Sequence, residues 1–184
     1  MCGIFGVFNF NKSDVKEADL KKMGDLMFNR GPDDAGYYID KYAGVGMRRL
    51  SIIDIDGGHQ PISNKDDSIQ IVMNGEIYNY KELREELLAK NYEFKTDSDV
   101  EVVIHLYEEM GKECVHMLNG MFSFAIYDKN KESIWLVRDR LGIKPLFYFK
   151  DEDRFIFSSD LTALNGLLGN ELDLWALTLY LGYS

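Results

Sequence analysis

Apolar residues recur at helical spacing in three stretches of the chain. Leu20, Met23 and Met27 fall at i, i+3 and i+7, as do Tyr80, Leu83 and Leu87, while Val100, Val103, Ile104 and Tyr107 line one face of a third segment. The third stretch carries a start signal, because Ser98 and Glu101 form the S-x-x-E pattern of a capping box. Strand-like runs fall at 4–8, 36–39, 44–47, 69–73, 121–127, 133–137, 146–149 and 155–157. Short, highly charged connectors, DKNKE at 128–132 and KDEDR at 150–154, predict two antiparallel hairpins.

The run at 121–127 is apolar on nearly both faces, and so is 134–137. Antiparallel strands with one wet face alternate apolar and polar residues. Two-sided apolar strands therefore predict cover on both sides, with helices on one and a second sheet on the other. That is an α+β layered fold rather than a doubly wound parallel sheet. The apolar run LDLWALTLYLGY at 172–183 is helix-like and reads as the start of an element that continues elsewhere. No repeat, low-complexity tract or Ser/Gly-rich linker interrupts the chain.

The 184 residues fit one domain, and 46% hydrophobic content supplies a core without staples. Against 21 basic residues stand 31 acidic ones, a formal charge of −10 that disfavours nucleic acid or an anionic membrane as partner. No run reads as a membrane span or a leader. Two cysteines, Cys2 and Cys114, make no disulfide framework, and neither they nor the 3 histidines have metal-ligand spacing. A cytoplasmic protein without a metal centre is the expectation.

Cys2 becomes the first residue if the initiator methionine is removed. It then holds a thiol and a free α-amine together, groups that ordinarily titrate at about 8.5 and about 7.7–8.0, so the amine can take the thiol's proton. Nucleophiles paired with an N-terminal amine are one solution to acyl transfer. The plainer reading is a small apolar residue entering a buried strand. Asn74-Gly75 is an ordinary turn signal between a strand and a helix, or else an oxyanion hole built from the Asn74 amide and the Gly75 N–H. Of the adjacent Arg48 and Arg49, one suits a bidentate carboxylate clamp, the alternative being surface ion pairs. Asp99 is either a first-turn acid or a holder of a substrate ammonium. RGPD at 30–33 reads as a turn. The phosphate-loop, dinucleotide, zinc-protease and serine-elbow signatures are absent.

Six motifs then fall in one family's order: MCGIFGV (1–7), RGPD (30–33), RLSIID (49–54), NGEIYN (74–79), LNGMFSF (118–124) and RDRLGIKPL (138–146). Together they resemble the class II glutamine amidotransferase domain of the glutamine-hydrolysing asparagine synthases, an N-terminal nucleophile hydrolase family. The resemblance spans essentially the whole chain and implies a four-layer αββα sandwich of two antiparallel sheets. It implies that Cys2 is the nucleophile with its own amine as base, and that Asn74 and Gly75 hold the oxyanion. Arg49 would grip the α-carboxylate of L-glutamine, Glu76 and Asp99 would face its ammonium, and the backbone of Leu50, Ser51, Ile52 and Ile53 would line the site. Residues 1–170 would form the glutaminase domain and 171–184 the start of a linker. The family's ATP- and magnesium-using synthetase domain, with a loop reading roughly SGGLDSS, has no counterpart here, so no cofactor is expected in this domain. A silent glutamine-binding or docking fragment, and an amidotransferase serving another acceptor, are the alternatives. Self-association through the final apolar run is a further expectation.

Overall fold

The computed structural model describes residues 2–50, 58–169 and 173–183. Strand β1 (Gly3–Asn9) is followed by helix α1 (Glu17–Leu26) and the hairpin β2 (Asp34–Asp40)–β3 (Ala43–Arg49). Next come β4 (Ile62–Ser63), β5 (Ile69–Ile77), α2 (Tyr80–Ala89) and α3 (Asp99–Met110). Hairpins β6 (Gly120–Asp128)–β7 (Ser133–Arg138) and β8 (Phe147–Lys150)–β9 (Arg154–Ser158) precede α4 (Leu161–Leu168) and α5 (Leu174–Tyr183).

The strands form two antiparallel sheets, ordered β2-β3-β1-β9-β8 and β4-β5-β6-β7. Strand alternation explains how both faces of each become buried. Along β1, Phe5 and Val7 pack with Leu20 and Met23 of α1 and with Ala163 and Leu164 of α4. Ile4 and Phe8 point the other way, onto Val72, Ala125 and Tyr127 of the second sheet. Along β6, Phe122, Phe124 and Ile126 meet Leu83 and Leu87 of α2 and Val103, Ile104 and Tyr107 of α3. Three apolar layers thus separate four structural ones, helix–sheet–sheet–helix. Each fully buried large side chain contributes about 1.5–3 kcal/mol.

Both predicted hairpins form, and all three predicted helices form on their predicted faces. Two local expectations fail. Residues 74–76 are not a turn: β5 continues through them to Ile77 because β6 pairs with every position from Ile69 to Ile77. The capping box is only half made. Ser98 Oγ accepts from Val100 N, but the Glu101 carboxylate turns back to accept from the Lys95 and Thr96 N–H groups and Thr96 Oγ1. The stretch holding Cys114 and His116 is a 3-10 helix (Gly111–Met117), since Gly111 at φ 63° ends α3. Helix α5 is apolar around its circumference and exposes Leu174, Trp175 and Tyr180. Among the described residues no helix is long and apolar enough to cross a membrane.

Candidate active site

Cys2 stands one residue ahead of β1, on the side of the chain that carries Ile4 and Phe8, and packs against the layer between the sheets. Its carbonyl is held by Arg30, whose Nε and Nη2 donate to it at 3.3 and 3.2 Å. Its sulfur lies 3.4 Å from the Leu50 N–H, which donates to it, and 3.5 Å from the Leu50 carbonyl. The half-buried thiol is thus fixed at the open end of the sandwich.

The neighbouring arginines part company at the end of β3. Arg48 faces α1, donating to the Gly24 carbonyl at 3.0 Å and pairing with Asp25. Arg49 follows the alternation of Val45 and Met47 onto the inner face, where it is buried and lines the cleft beside Cys2. The cavity of that cleft is small, about 60 Å³. Leu50, Gln60, Gly75, Glu76 and Asp99 also line it.

Strand β5 brings the opposite wall. Asn74 shares the inward face with Val72, is 2% exposed, and its Nδ2 has no hydrogen-bond partner among the described residues. Buried donors are nearly always paired, so an unpaired one calls for an explanation. Gly75 has φ 148°, and a Cβ there would lie 2.1 Å from the Met121 carbonyl, so only glycine fits. Tyr78 N bonds the Asn119 carbonyl across the β6 side, which sets even-numbered N–H groups of β5 toward β6 and odd-numbered ones toward the other edge. On that edge Met73 N donates to Gln60 Oε1 at 2.7 Å and Ile77 N to Asp99 Oδ2 at 2.8 Å. The Gly75 N–H lies between them and faces the cleft.

Asp99 is 4% exposed. Burial pushes its carboxyl above the ordinary value and the charge of Glu76 adds to this, while the Ile77 N–H opposes it. One guanidinium and two carboxylates around a thiol and two inward donors suit a zwitterionic amino acid whose side-chain carbonyl is attacked. Among the described residues, Cys2, Arg49, Leu50, Gly75, Glu76 and Asp99 share this cleft, and Asn74 sits behind it in the inter-sheet layer. Ser51, Ile52 and Ile53 lie outside the described residues. No group of three or more His, Cys, Asp or Glu among the described residues is placed to hold a metal.

Two residues of the site were not legible as such. Arg30 reads as part of a turn, and Gln60 carries no sequence signal beyond the proline that follows it.

A profile of the family described as glutamine amidotransferase domain matches residues 1–184. Asparagine synthetase (glutamine-hydrolyzing) 2 of Bacillus subtilis is 50% identical over 167 residues, covering 89% of this chain and 22% of that protein. Asparagine synthetase B (glutamine-hydrolyzing) of Escherichia coli is 42% identical over 167 residues, covering 89% of this chain and 30% of its own length. The chain therefore spans a third or less of these curated relatives. A solved glutamine phosphoribosylpyrophosphate amidotransferase from B. subtilis superposes with a TM-score of 0.76 at 18% identity, over 93% of this chain and 44% of the other, which establishes a shared fold.

Proposed function

This chain belongs to the glutamine amidotransferase domain family, and we propose that it hydrolyses the side-chain amide of L-glutamine to glutamate and ammonia. The observation that carries the proposal is the buried Asn74 Nδ2, unpaired among the described residues, beside the cleft-facing Gly75 N–H and opposite a fixed thiol. Donors left without a partner in the resting protein are ready for an anion that exists only during reaction.

With Met1 removed, the Cys2 amine takes the thiol proton, directly or through water. The thiolate attacks the amide carbon, forming a C–S bond and an oxyanion that accepts from Asn74 Nδ2 and Gly75 N. The amine's proton passes to the leaving nitrogen, ammonia departs, and a thioester remains. Water, giving its proton to the amine, then adds to the thioester; the C–S bond breaks, glutamate leaves and the thiol is restored. Arg49 holds the substrate α-carboxylate, Asp99 and Glu76 its ammonium, and the backbone from Leu50 through Ser51, Ile52 and Ile53 lines the site. A positive charge beside Asp99 offsets the burial penalty on its carboxylate.

Kinship with asparagine synthetases supports assigning the ammonia to asparagine formation by a synthetase domain of the same chain. ATP and magnesium would serve that domain, and the steps above call for no cofactor. The cytoplasm is the proposed compartment, residues 171–184 the proposed start of the link to the synthetase domain, and α5 the proposed surface of self-association. Glutamate release from glutamine, abolished by Cys2→Ala, tests the reading. Stoichiometric glutamine binding without glutamate would replace it with a silent binding role.

A further inference from the structure

We infer that Gln60 is a positioning residue for the oxyanion-binding edge of β5, its carboxamide standing in for a strand that the main chain withholds. The inference rests on the hydrolytic reading above. Strand β4 pairs Ile62 with Ile71 and Ser63 with Gln70. Continuing that register by one hydrogen-bonded step sets residue 60 opposite Met73. The main chain does not continue there, because the Gln60 carbonyl turns toward Gly36 of β2 instead. Instead the Gln60 side chain fills its own register position, with Oε1 accepting from Met73 N at 2.7 Å and Nε2 donating to the Met73 carbonyl at 3.4 Å. One amide thus makes both bonds that a neighbouring strand would make.

This substitution has two consequences for the site. Ending the backbone ladder at β4 and replacing its next step with a single side chain leaves the following N–H, that of Gly75, open to the cleft. A continuing strand would have covered it. Gln60 also spans both sheets. Its carbonyl sits so close to β2 that a Cβ on Gly36 would lie 1.7 Å from it, while its side chain grips β5. Arg49 belongs to the sheet of β2 and Cys2 leads into β1 of that sheet, whereas Asn74 and Gly75 belong to the sheet of β5. Gln60, 6% exposed at the cleft, therefore fixes the distance between nucleophile and oxyanion donors. A shift of about 1 Å in such a distance is enough to cost roughly 10²-fold in rate.

The test uses the full chain with Gln60→Met, which keeps the bulk and removes both bonds, and Gln60→Asn, which keeps the amide but withdraws it by one methylene. Three quantities are read: glutaminase kinetics, inhibition by the γ-aldehyde analogue of glutamine, and hydrogen exchange at the Met73 amide. The expected result is kcat lowered about 10–100-fold with KM within about threefold. The aldehyde, whose hemithioacetal occupies the oxyanion position, loses at least about tenfold in affinity while iodoacetamide alkylates Cys2 at the wild-type rate. Met73 N–H exchanges at least about tenfold faster. If Gln60→Met does not fold, Gln60→Asn must give the same split. Wild-type kcat in either variant overturns the inference, as does a parallel loss of kcat, glutamine affinity and alkylation, which marks general collapse. A wild-type protein that releases no glutamate overturns the hydrolytic reading instead, and unchanged Met73 exchange then overturns the clamp separately.

Discussion

Replacing Asn74 with alanine separates catalysis from folding in a way that follows from one atom. Nδ2 is buried and, among the described residues, unpartnered. Such a donor costs about 1–3 kcal/mol, a cost the native state carries without return. In the transition state the same donor meets an oxyanion, where losing one donor raises the barrier by about 2.7–4 kcal/mol. Asn74→Ala is thus expected to lower kcat about 10²–10³-fold while KM for glutamine stays within about threefold, since ground-state binding rests on Arg49 and Asp99. Relief of the unpaired donor is set against the lost packing of one small amide. Stability by urea denaturation should therefore remain within about 1 kcal/mol of wild type, or rise. Paired steady-state kinetics and denaturation on the same preparation decide it. A variant destabilised by more than about 2 kcal/mol, or one whose KM rises as kcat falls, would refute the assignment of Nδ2 to the oxyanion.

Three further expectations follow from the same geometry. Arg49→Lys should raise KM for glutamine about 10–100-fold through loss of bidentate geometry, whereas Arg48→Ala, which frees the Gly24 carbonyl, Asp25 and the face of Phe28, should lower stability by about 1 kcal/mol and leave KM unchanged. Asp99 has a folded pKa raised above its ordinary 3.8, so its contribution to stability is lost as pH rises through the raised value. Asp99→Asn should therefore gain stability over wild type at pH 7 but not at pH 4, and bind glutamine at least about tenfold more weakly by calorimetry. Glu101 is pushed down to about 2 from an ordinary 4.5: burial opposes its charge, but the His105 ring 3.6 Å away and bonds from Thr96 and Lys95 outweigh it. The sign is opposite, with stability present above pH 4.5 and lost toward pH 2. Glu101→Gln should abolish roughly 3 kcal/mol of that acid-linked loss in denaturation at stepped pH.

The layered fold was legible because its signal is local. Phe122, Phe124 and Ile126 alternating with Ala125 and Tyr127 state outright that both faces of β6 are covered. Helix faces were equally plain from the spacing of Leu20, Met23 and Met27. The end of β5 was not. Asn-Gly favours a turn by intrinsic preference, and only the long β6 partner, far along the chain, keeps Asn74 and Gly75 extended. Glu101 has the spacing of a capping residue, yet three donors at 95–96 outcompete the Ser98 N–H for it. The two-residue β4 and helix α4 had too little periodicity to read. Within the site, Cys2, Asn74, Arg49 and Asp99 were each ambiguous alone and became a set through the family's motif order. Arg30 and Gln60 escaped because their work is done on main-chain atoms, which leaves no chemical signature in a side-chain pattern.

The central claim is that Cys2, freed at its amine, is the nucleophile for a glutamine side chain. Intact mass of the purified protein before and after a glutamine-mimicking diazoketone tests it most directly. The account predicts loss of one methionine, a single adduct on the wild-type chain, and no adduct in Cys2→Ala. An adduct that persists in Cys2→Ala, or none on wild-type protein lacking Met1, would contradict it.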